Sequence, residues 1–391
     1  MLSKMSLKAM NDSTIQRQQT TNIVMITFWS QFASYGLNTV LILFLTRSLW
    51  QHGLGYSQVK AYAFMGVSQA TGYLMPLLGG FMADQVLGLR RSILFGSILL
   101  VLAYLFIMLS GMSVSHYGDC FFLMAYAITP AASSLLMGTA SAMVSRIYHQ
   151  EEIKAKAAMT YYYMAINVGA ILATIIAPSL LESRYGPLSV LALTFVGKAI
   201  AAINFAAHYR IYDSVIWGKD KRKLRRKGWL QLVLYLLLIY GFSLFAFSHI
   251  SIASTIISVG CVAGVLWFLV KTFRLQGKAK IKQLIAILLI VEAMIFFIIY
   301  NQMNTTLVLF AEHNTNTEWL GYHFSAAHYQ LLNPLLILIL GVYLPKFYQT
   351  FPKFSIPYQF AAGTFLASLG LMVLSIAPAG QEGILSGFYI A

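Results

Sequence analysis

Long apolar stretches separated by short polar connections dominate the chain from about residue 22 onward. A helix needs about 20 predominantly apolar residues to cross a bilayer, and each of these stretches reaches or approaches that length. The pattern therefore predicts an all-α, polytopic membrane protein. The predicted spans are 22–45, 62–86, 93–112, 121–147, 160–181, 188–208, 229–247, 252–272, 284–310, 329–347 and 357–376.

The composition agrees with this pattern. Hydrophobic residues make up 59% of the 391 residues and charged residues only 10%, whereas about a quarter of a soluble globular chain is charged. Cys120 and Cys261 both lie in or beside apolar stretches, so we expect neither a disulfide framework nor a metal site.

The net charge of +15 is compatible with nucleic-acid binding, but the placement of the charges argues for membrane topology instead. If the N-terminus is cytoplasmic, most Lys and Arg residues fall in cytoplasmic connections, as the positive-inside rule requires. The basic run Lys219–Lys227 then faces anionic lipid headgroups. It contains no aromatic or base-reading residue, so we expect a lipid bilayer and no nucleic acid as partner.

The same basic connections predict how the chain is organised. The stretches 229–247 and 252–272 are bracketed by basic connections, so we expect them to form a hairpin that leaves the cytoplasm and returns. The expected parts are an N-terminal tail (1–21), a six-helix bundle (22–210), a basic linker (211–228), an inserted hairpin with its basic loop (229–282) and an incomplete second bundle (283–391).

A short turn with glycines and charges joins the second and third spans at residues 79–91. Glycines let helix backbones approach closely, and charged groups are costly in lipid. We therefore expect Asp84, Arg90 and Arg91 at the water boundary. The turn resembles the loop after the second helix of major facilitator superfamily transporters, and the resemblance implies that these residues clamp the cytoplasmic ends of neighbouring helices in one state of a transport cycle. The alternative is an ordinary turn.

Four polar strings inside or beside the apolar stretches extend the resemblance: residues 27–38, 161–170, 296–307 and 329–334. Their order and spacing resemble the proton-dependent oligopeptide transporter (POT) family, in particular its bacterial di- and tripeptide permeases. The resemblance implies a major facilitator fold and a monomeric transporter of small peptides or peptide-like solutes, without a cofactor, in a bacterial inner membrane. A permease for a different small solute is the alternative within this class.

Asn and Tyr groups at bilayer depth need polar partners, and a wet central cavity supplies them. Tyr163 and Asn167 are four residues apart and so share one helical face, while Tyr73 is included because of the resemblance alone. For each of these residues the alternative is an interhelical hydrogen bond. The candidate ligand-binding residues are Tyr35, Asn38, Tyr73, Tyr163, Asn167, Gln302 and Asn333.

The chain departs from the family at its proton-coupling positions. Where family members carry ionisable groups, this sequence has Thr27, Ser30, Gln31, Thr129 and Asn301. None of these side chains titrates near neutral pH, so we expect transport that depends only weakly on a proton gradient. The chain also ends within an expected further span, residues 383–391, which indicates either a fragment or a truncated paralogue.

Two charged residues remain inside predicted spans, Lys198 and Glu292. A charge at the centre of a membrane helix costs about 2.5–3.5 kcal/mol on insertion scales, so each is a candidate functional residue. Neither lies at a position that matches a coupling position of the family. His313, His323 and His328 fall in a predicted outer loop, where we expect solvated side chains and no metal.

Two other function classes compete with transport. A membrane enzyme would need a His, Cys or carboxylate dyad within the spans, and the sequence shows no clear array of this kind, so we do not expect an enzyme. A degenerate family member that acts as a sensor, or has no activity, is the other alternative. Ligand binding without flux would distinguish that alternative from a transporter.

Overall fold

The computed structural model describes residues 2–112, 118–149, 151–216, 218–315, 318–319, 322–323, 325–350 and 356–375. Within these ranges the backbone is almost entirely helical, which confirms the all-α class. The helices are α1 (Leu2–Thr46), α2 (Gln58–Met82), α3 (Leu89–Met112), α4 (Gly118–Tyr126), α5 (Ile128–Leu136), α6 (Thr139–Ile147), α7 (Glu152–Leu181), α8 (Pro187–Ala207), α9 (Arg226–Ser248), α10 (Ile250–Phe273), α11 (Gly277–Asn301), α12 (Thr306–Asn314), α13 (Leu332–Thr350) and α14 (Ile356–Ser375).

Short elements connect some of these helices. A π-helical turn covers Ala83–Leu87, and two-residue strands β1 (Glu318–Trp319) and β2 (Tyr322–His323) pair antiparallel. The 3₁₀ segments are Leu49–Gln51, Tyr209–Ser214, Gly218–Lys221, Gln302–Asn304 and Ala326–Leu331.

The spans predicted from hydropathy correspond to helices, with differences in number and continuity. Nine helical stretches in the described part of the chain are long and apolar enough to cross a membrane. The predicted spans 62–86 and 329–347 form helices α2 and α13 but are not among these nine. The expected span 383–391 lies outside the described residues.

The predicted span 121–147 is divided into α4, α5 and α6, which hydropathy alone does not show. Pro130 has no N–H to donate to the preceding turn, and α5 begins at Ile128, close before it. Gly138 has a φ of +84° and separates α5 from α6. Because glycine adopts a positive φ more readily than other residues, Gly138 is the one residue in the sequence that marks this break.

The chain forms two compact units, Met1–Ile250 and Ser251–Ala391. The expected inserted hairpin (229–282) stays a prediction. Helix α9 belongs to the first unit because it packs directly on α2 and α5: Leu232 is buried with Met82 and Leu135. In addition, the hydroxyls of Tyr235 and Ser134 lie 2.7 Å apart.

In the first unit, α1 packs against α7 and α8, and α3 packs against α5 and α8. Glycine permits the closest of these approaches. A Cβ added at Gly169 would lie 2.9 Å from the carbonyl oxygen of Phe28 on α1. At Gly79 it would lie 1.8 Å from the carbonyl oxygen of Ser134, so the predicted role of this glycine in close helix packing is confirmed.

In the second unit, α11 packs against α14, and α12 and α13 contact the segment Ala326–Leu331. Most apolar side chains of α10 are exposed, among them Val259, Val262 and Trp267. A helix with apolar side chains on its exposed surface is suited to contact with lipid, because lipid tails replace water around it.

Candidate functional site

One side of α1 carries a row of polar side chains through the membrane-spanning part of the first unit. Gln31, Ser34, Tyr35 and Asn38 are three or four residues apart and therefore lie on one helical face. The first three are half-buried and Asn38 is exposed. A partly exposed polar row at bilayer depth is unfavourable against lipid but suited to a water-filled cavity.

Two tyrosines expected in the ligand site are also well exposed. Tyr73 on α2 has a relative exposure of 58%, and Tyr163 on α7 has 54%. Each offers an apolar ring together with a hydroxyl, which suits contact with ligands of varied side chains.

Asn167 behaves differently from its neighbour Tyr163. It is only 5% exposed, and its Nδ2 donates to the Tyr163 carbonyl oxygen 2.9 Å away, within its own helix. The structure therefore gives Asn167 a local hydrogen-bond partner, and its contact with a ligand stays a prediction.

The remaining candidates, Gln302 and Asn333, belong to the second unit. Nε2 of Gln302 donates to the Ile298 carbonyl oxygen at 3.3 Å, and Nδ2 of Asn333 donates to the Tyr300 hydroxyl at 3.1 Å. Each is thus held by a neighbour within its unit. That they share one cavity with the residues of the first unit stays a prediction.

Two of the five neutral residues at the family's coupling positions are buried, and the other three are half-buried. Thr27 and Ser30 are buried in the first unit, whereas Gln31 is half-buried. The Thr129 hydroxyl donates to the Tyr126 carbonyl oxygen at 2.7 Å. In the second unit, the Asn301 carbonyl oxygen accepts a hydrogen bond from the Thr305 hydroxyl at 3.0 Å.

Lys198 on α8 reaches one of these positions from another helix. It is 3% exposed, and its Nζ donates to the carbonyl oxygen of Ser30 at 2.7 Å, to the Ser30 hydroxyl at 3.0 Å and to the Ser34 hydroxyl at 2.7 Å. Nζ also lies 5.0 Å from the centre of the Tyr104 ring. Lys198 matches no coupling position along its own helix, but its side chain reaches Ser30 on α1, a contact that alignment along one helix does not show. A functional role for Lys198 stays a prediction. Glu292, the other candidate charge, is half-buried on α11.

The two arginines of the turn at residues 79–91 hold the segment that follows α8. Arg90 forms an ion pair with Asp213, and its guanidinium lies 4.1 Å from the centre of the Tyr209 ring. Nη2 of Arg91 donates to the Asp220 carbonyl oxygen at 2.7 Å. Asp84 is exposed. These contacts join the arginines to the segment between α8 and α9 and not to a neighbouring helix. The proposed clamp between helices therefore stays a prediction.

Asp220 is a buried acid that sequence reasoning missed. Its Oδ2 lies 3.3 Å from Nη1 of Arg146 on α6, and its side chain is fully buried. Oδ1 occupies the space that a Cβ on Gly88 would need, because that Cβ would lie 2.2 Å from it. Burial raises the pKa of the Asp220 carboxyl, and the nearby Arg146, Arg91 and Arg90 partly oppose this shift.

One feature of the sequence points to Asp220: it is the only acid in the basic run Lys219–Lys227. Most of the described side chains of this run are exposed, as contact with lipid headgroups requires. A single acid among cations is a candidate for pairing with arginines elsewhere, as Asp220 does with Arg146.

The segment after α8 is also anchored on α1. The Tyr212 hydroxyl donates to Oδ1 of Asn22 at 2.6 Å, and Nε2 of Gln19 donates to the Ser214 hydroxyl at 2.8 Å. Tyr212 is fully buried against Phe205. This connection is therefore part of the first unit's core.

The predicted outer-loop histidines are spread over three elements. His313 lies in α12 and is exposed, His323 lies in β2, and Nδ1 of His328 lies 3.1 Å from the Ser325 carbonyl oxygen. In the described part of the chain, no group of three or more His, Cys, Asp or Glu side chains is placed to hold a metal ion.

Solved structures match this arrangement of membrane-length helices closely. The crystal structure of tetrameric PepTSo2 superposes with a TM-score of 0.83 at 22% identity, covering 96% of this chain and 80% of that one. A peptide transporter POT in complex with sulfate gives 0.81 at 22% identity, covering 95% and 77%. The expected major facilitator fold is thereby confirmed.

The family follows from the sequence comparison. The POT family model matches residues 90–381 of this chain, well over half of it, and the chain belongs to that family of peptide transporters. Dipeptide and tripeptide permease A of Serratia proteamaculans is 28% identical over 367 residues, which is 93% of this chain and 70% of the relative. The permease A of Proteus mirabilis is 29% identical over 377 residues, covering 94% and 74%.

Proposed function

We propose that this protein carries small peptides or peptide-like solutes across the bacterial inner membrane by alternating access. Membership of the POT family supports transport, and the names of the similar permeases support dipeptides and tripeptides as the solutes. The observation that carries the proposal is the partly exposed polar face of α1, with Tyr73 and Tyr163 exposed on α2 and α7.

Solute sites of this class of transporter lie near the bilayer midplane, and each helical unit carries polar side chains that are candidates for contacts with a solute. Tyr35 and Asn38 would supply them from the first unit, and Gln302 and Asn333 from the second. A peptide backbone offers both N–H donors and carbonyl acceptors, and these amide and phenol groups can meet either kind.

Three further features belong to the proposal. The basic connections make us expect a cytoplasmic N-terminus. We expect no catalytic step, because transport needs none. We also expect a monomer; PepTSo2 was crystallised as a tetramer, so the mass of the purified protein in detergent decides this point.

The test is exchange in proteoliposomes. Vesicles loaded with an unlabelled dipeptide should take up the same labelled dipeptide, with saturation and with competition by tripeptides but not by free amino acids. Protein-free vesicles are the control. Dipeptide binding to the purified protein without exchange would instead identify a non-transporting member of the family, and neither binding nor exchange would point to a different solute.

A further inference from the structure

Lys198 is a buried amine whose surroundings are those of a proton-binding site. All three of its hydrogen-bond acceptors are oxygens of α1, two from Ser30 and one from Ser34. Among the described residues it forms no ion pair, so its positive charge has no carboxylate to balance it. A buried ion without an opposite charge beside it is unfavourable, because it has lost its contact with water.

The groups that face Lys198 come from a small set of helices. From α1 they are the Ser30 and Ser34 oxygens, which do not titrate near neutral pH. From α3 the facing titratable group is Tyr104. The helix α7, which packs on both α1 and α8, has charged residues only near its first turns, namely Glu152, Lys154 and Lys156, and tyrosines at 161–163.

This pocket can hold either protonation state. The ammonium form has three N–H donors, and three oxygens are in place to accept them. The neutral amine has two donors and one lone pair, and either serine hydroxyl can rotate to donate to that lone pair. Because both forms can be fully hydrogen-bonded, the proton can leave without stranding a buried polar group.

Loss of the proton should loosen α1 from α8. Hydrogen bonds from a charged donor are roughly twice as strong as neutral ones. Ser34 lies in the same polar row of α1 as Tyr35 and Asn38, so the charge on Lys198 holds the face of α1 that is proposed to contact the solute.

We propose that Lys198 is a proton-binding site through which pH sets the rate of solute exchange, by changing how firmly α8 holds the polar face of α1. The inference rests on the proposed function. Its contacts lie on α1, α3 and α8, which all belong to the first unit. Movement between units therefore does not separate the lysine from its partners, and Lys198 acts as a pH sensor and not as a proton carrier.

The experiment measures dipeptide exchange at equal pH inside and outside the vesicles, over about pH 6 to about pH 9, where a buried lysine can titrate. We expect the wild-type rate to fall several-fold as pH rises. Lys198→Met should be slow and nearly independent of pH, and Lys198→Arg, which stays charged, should also lose the dependence. Lys156→Met removes an exposed lysine paired with Glu152 and should keep the wild-type profile.

A wild-type pH profile that survives in Lys198→Met would overturn the proposal, as would its loss in Lys156→Met. Apparent melting temperature against pH, measured in detergent without solute, is the second readout. A titrating Lys198 makes the difference between wild type and Lys198→Met depend on pH; a constant difference contradicts the proposal. If no variant exchanges dipeptide, the proposed function fails, and the melting curves still decide whether Lys198 titrates.

Discussion

At the scale of single residues, two roles compete for Asn167: contact with a ligand, and a hydrogen bond within its own helix. Its side chain donates to its own helix backbone at 2.9 Å, and so does that of Thr174, whose hydroxyl donates to the Ala170 carbonyl oxygen at 2.9 Å. Both are buried on α7. Only Asn167 has a second N–H and an amide oxygen left for another partner.

We predict that Asn167→Ala weakens dipeptide binding severalfold without unfolding the protein. A lost hydrogen bond to a ligand costs about 0.5–1.5 kcal/mol. Binding measured by calorimetry on the purified variants checks this, and Thr174→Ala is the matched control that should bind like the wild type. Equal binding by both variants would assign Asn167 to the helix and remove it from the site.

Asp220 gives a prediction about pH and stability. Burial raises the pKa of this carboxyl above its ordinary value of 3.8, so the folded protein holds the proton more tightly than the unfolded chain. The stabilisation of the folded state that comes from this tighter proton binding is present below the ordinary pKa, and it is lost as pH rises through the raised pKa. We expect the apparent melting temperature of the wild type to fall as pH rises through this range, and we expect Asp220→Asn to remove that fall.

The matched control for that measurement is Asp213→Asn. Asp213 pairs with Arg90, but 62% of its side chain is exposed, so solvent screens the pair. This variant should keep the fall. If Asp220→Asn and Asp213→Asn show the same pH dependence as the wild type, the buried carboxyl does not titrate in this range.

At the scale of helices and turns, the sequence predicted most of what depends on local chemistry. Apolar length predicted the helices, and the glycines at residues 79–80 predicted a close approach. The break at Gly138 follows from a positive φ at one residue, which hydropathy does not record. Contacts between distant parts of the chain could not be predicted: Lys198 meets Ser30 and Asp220 meets Arg146 only because of how helices pack.

The paired glycines of the turn provide a direct packing test. An added Cβ at Gly79 would lie 1.8 Å from the Ser134 carbonyl oxygen, whereas at Gly80 nothing lies within 4 Å. Overpacking of this kind costs about 1–3 kcal/mol. We therefore predict that Gly79→Ala lowers the yield and melting temperature of the purified protein, and that Gly80→Ala does not. Equal effects of the two would show that α2 and α5 are not packed this closely.

At the scale of the whole molecule, membrane orientation is the first property to test. The basic connections predict that a C-terminal reporter fused after Lys282 reads cytoplasmic and one fused after Thr315 reads periplasmic. Alkaline phosphatase and fluorescent protein fusions, active on opposite sides of the membrane, report the two locations independently. The reverse result at both positions would overturn the orientation and, with it, the assignment of the basic connections to the cytoplasm.

Energy coupling is the second property. Uphill transport needs a coupled ion or solute, and the family's coupling positions here hold Thr27, Ser30, Gln31, Thr129 and Asn301, none of which titrates near neutral pH. A ligand that binds both conformations of a transporter equally does not shift the equilibrium between them. The same holds for a proton whose binding site has the same affinity in both conformations. Lys198, held within one unit, fits that description.

We therefore predict uptake that depends only weakly on a proton gradient, as in a facilitator or exchanger. The measurement is uptake of a labelled dipeptide into proteoliposomes with and without an imposed pH gradient, at the same external pH in both cases so that the pH response of Lys198 stays constant. Accumulation inside should stop at the external concentration in both. Strong accumulation driven by the gradient would contradict the prediction and require a proton carrier. Loss of that accumulation in Glu292→Gln would identify the half-buried acid of α11, and its loss in Lys198→Met would show that the lysine changes its exposure during transport after all.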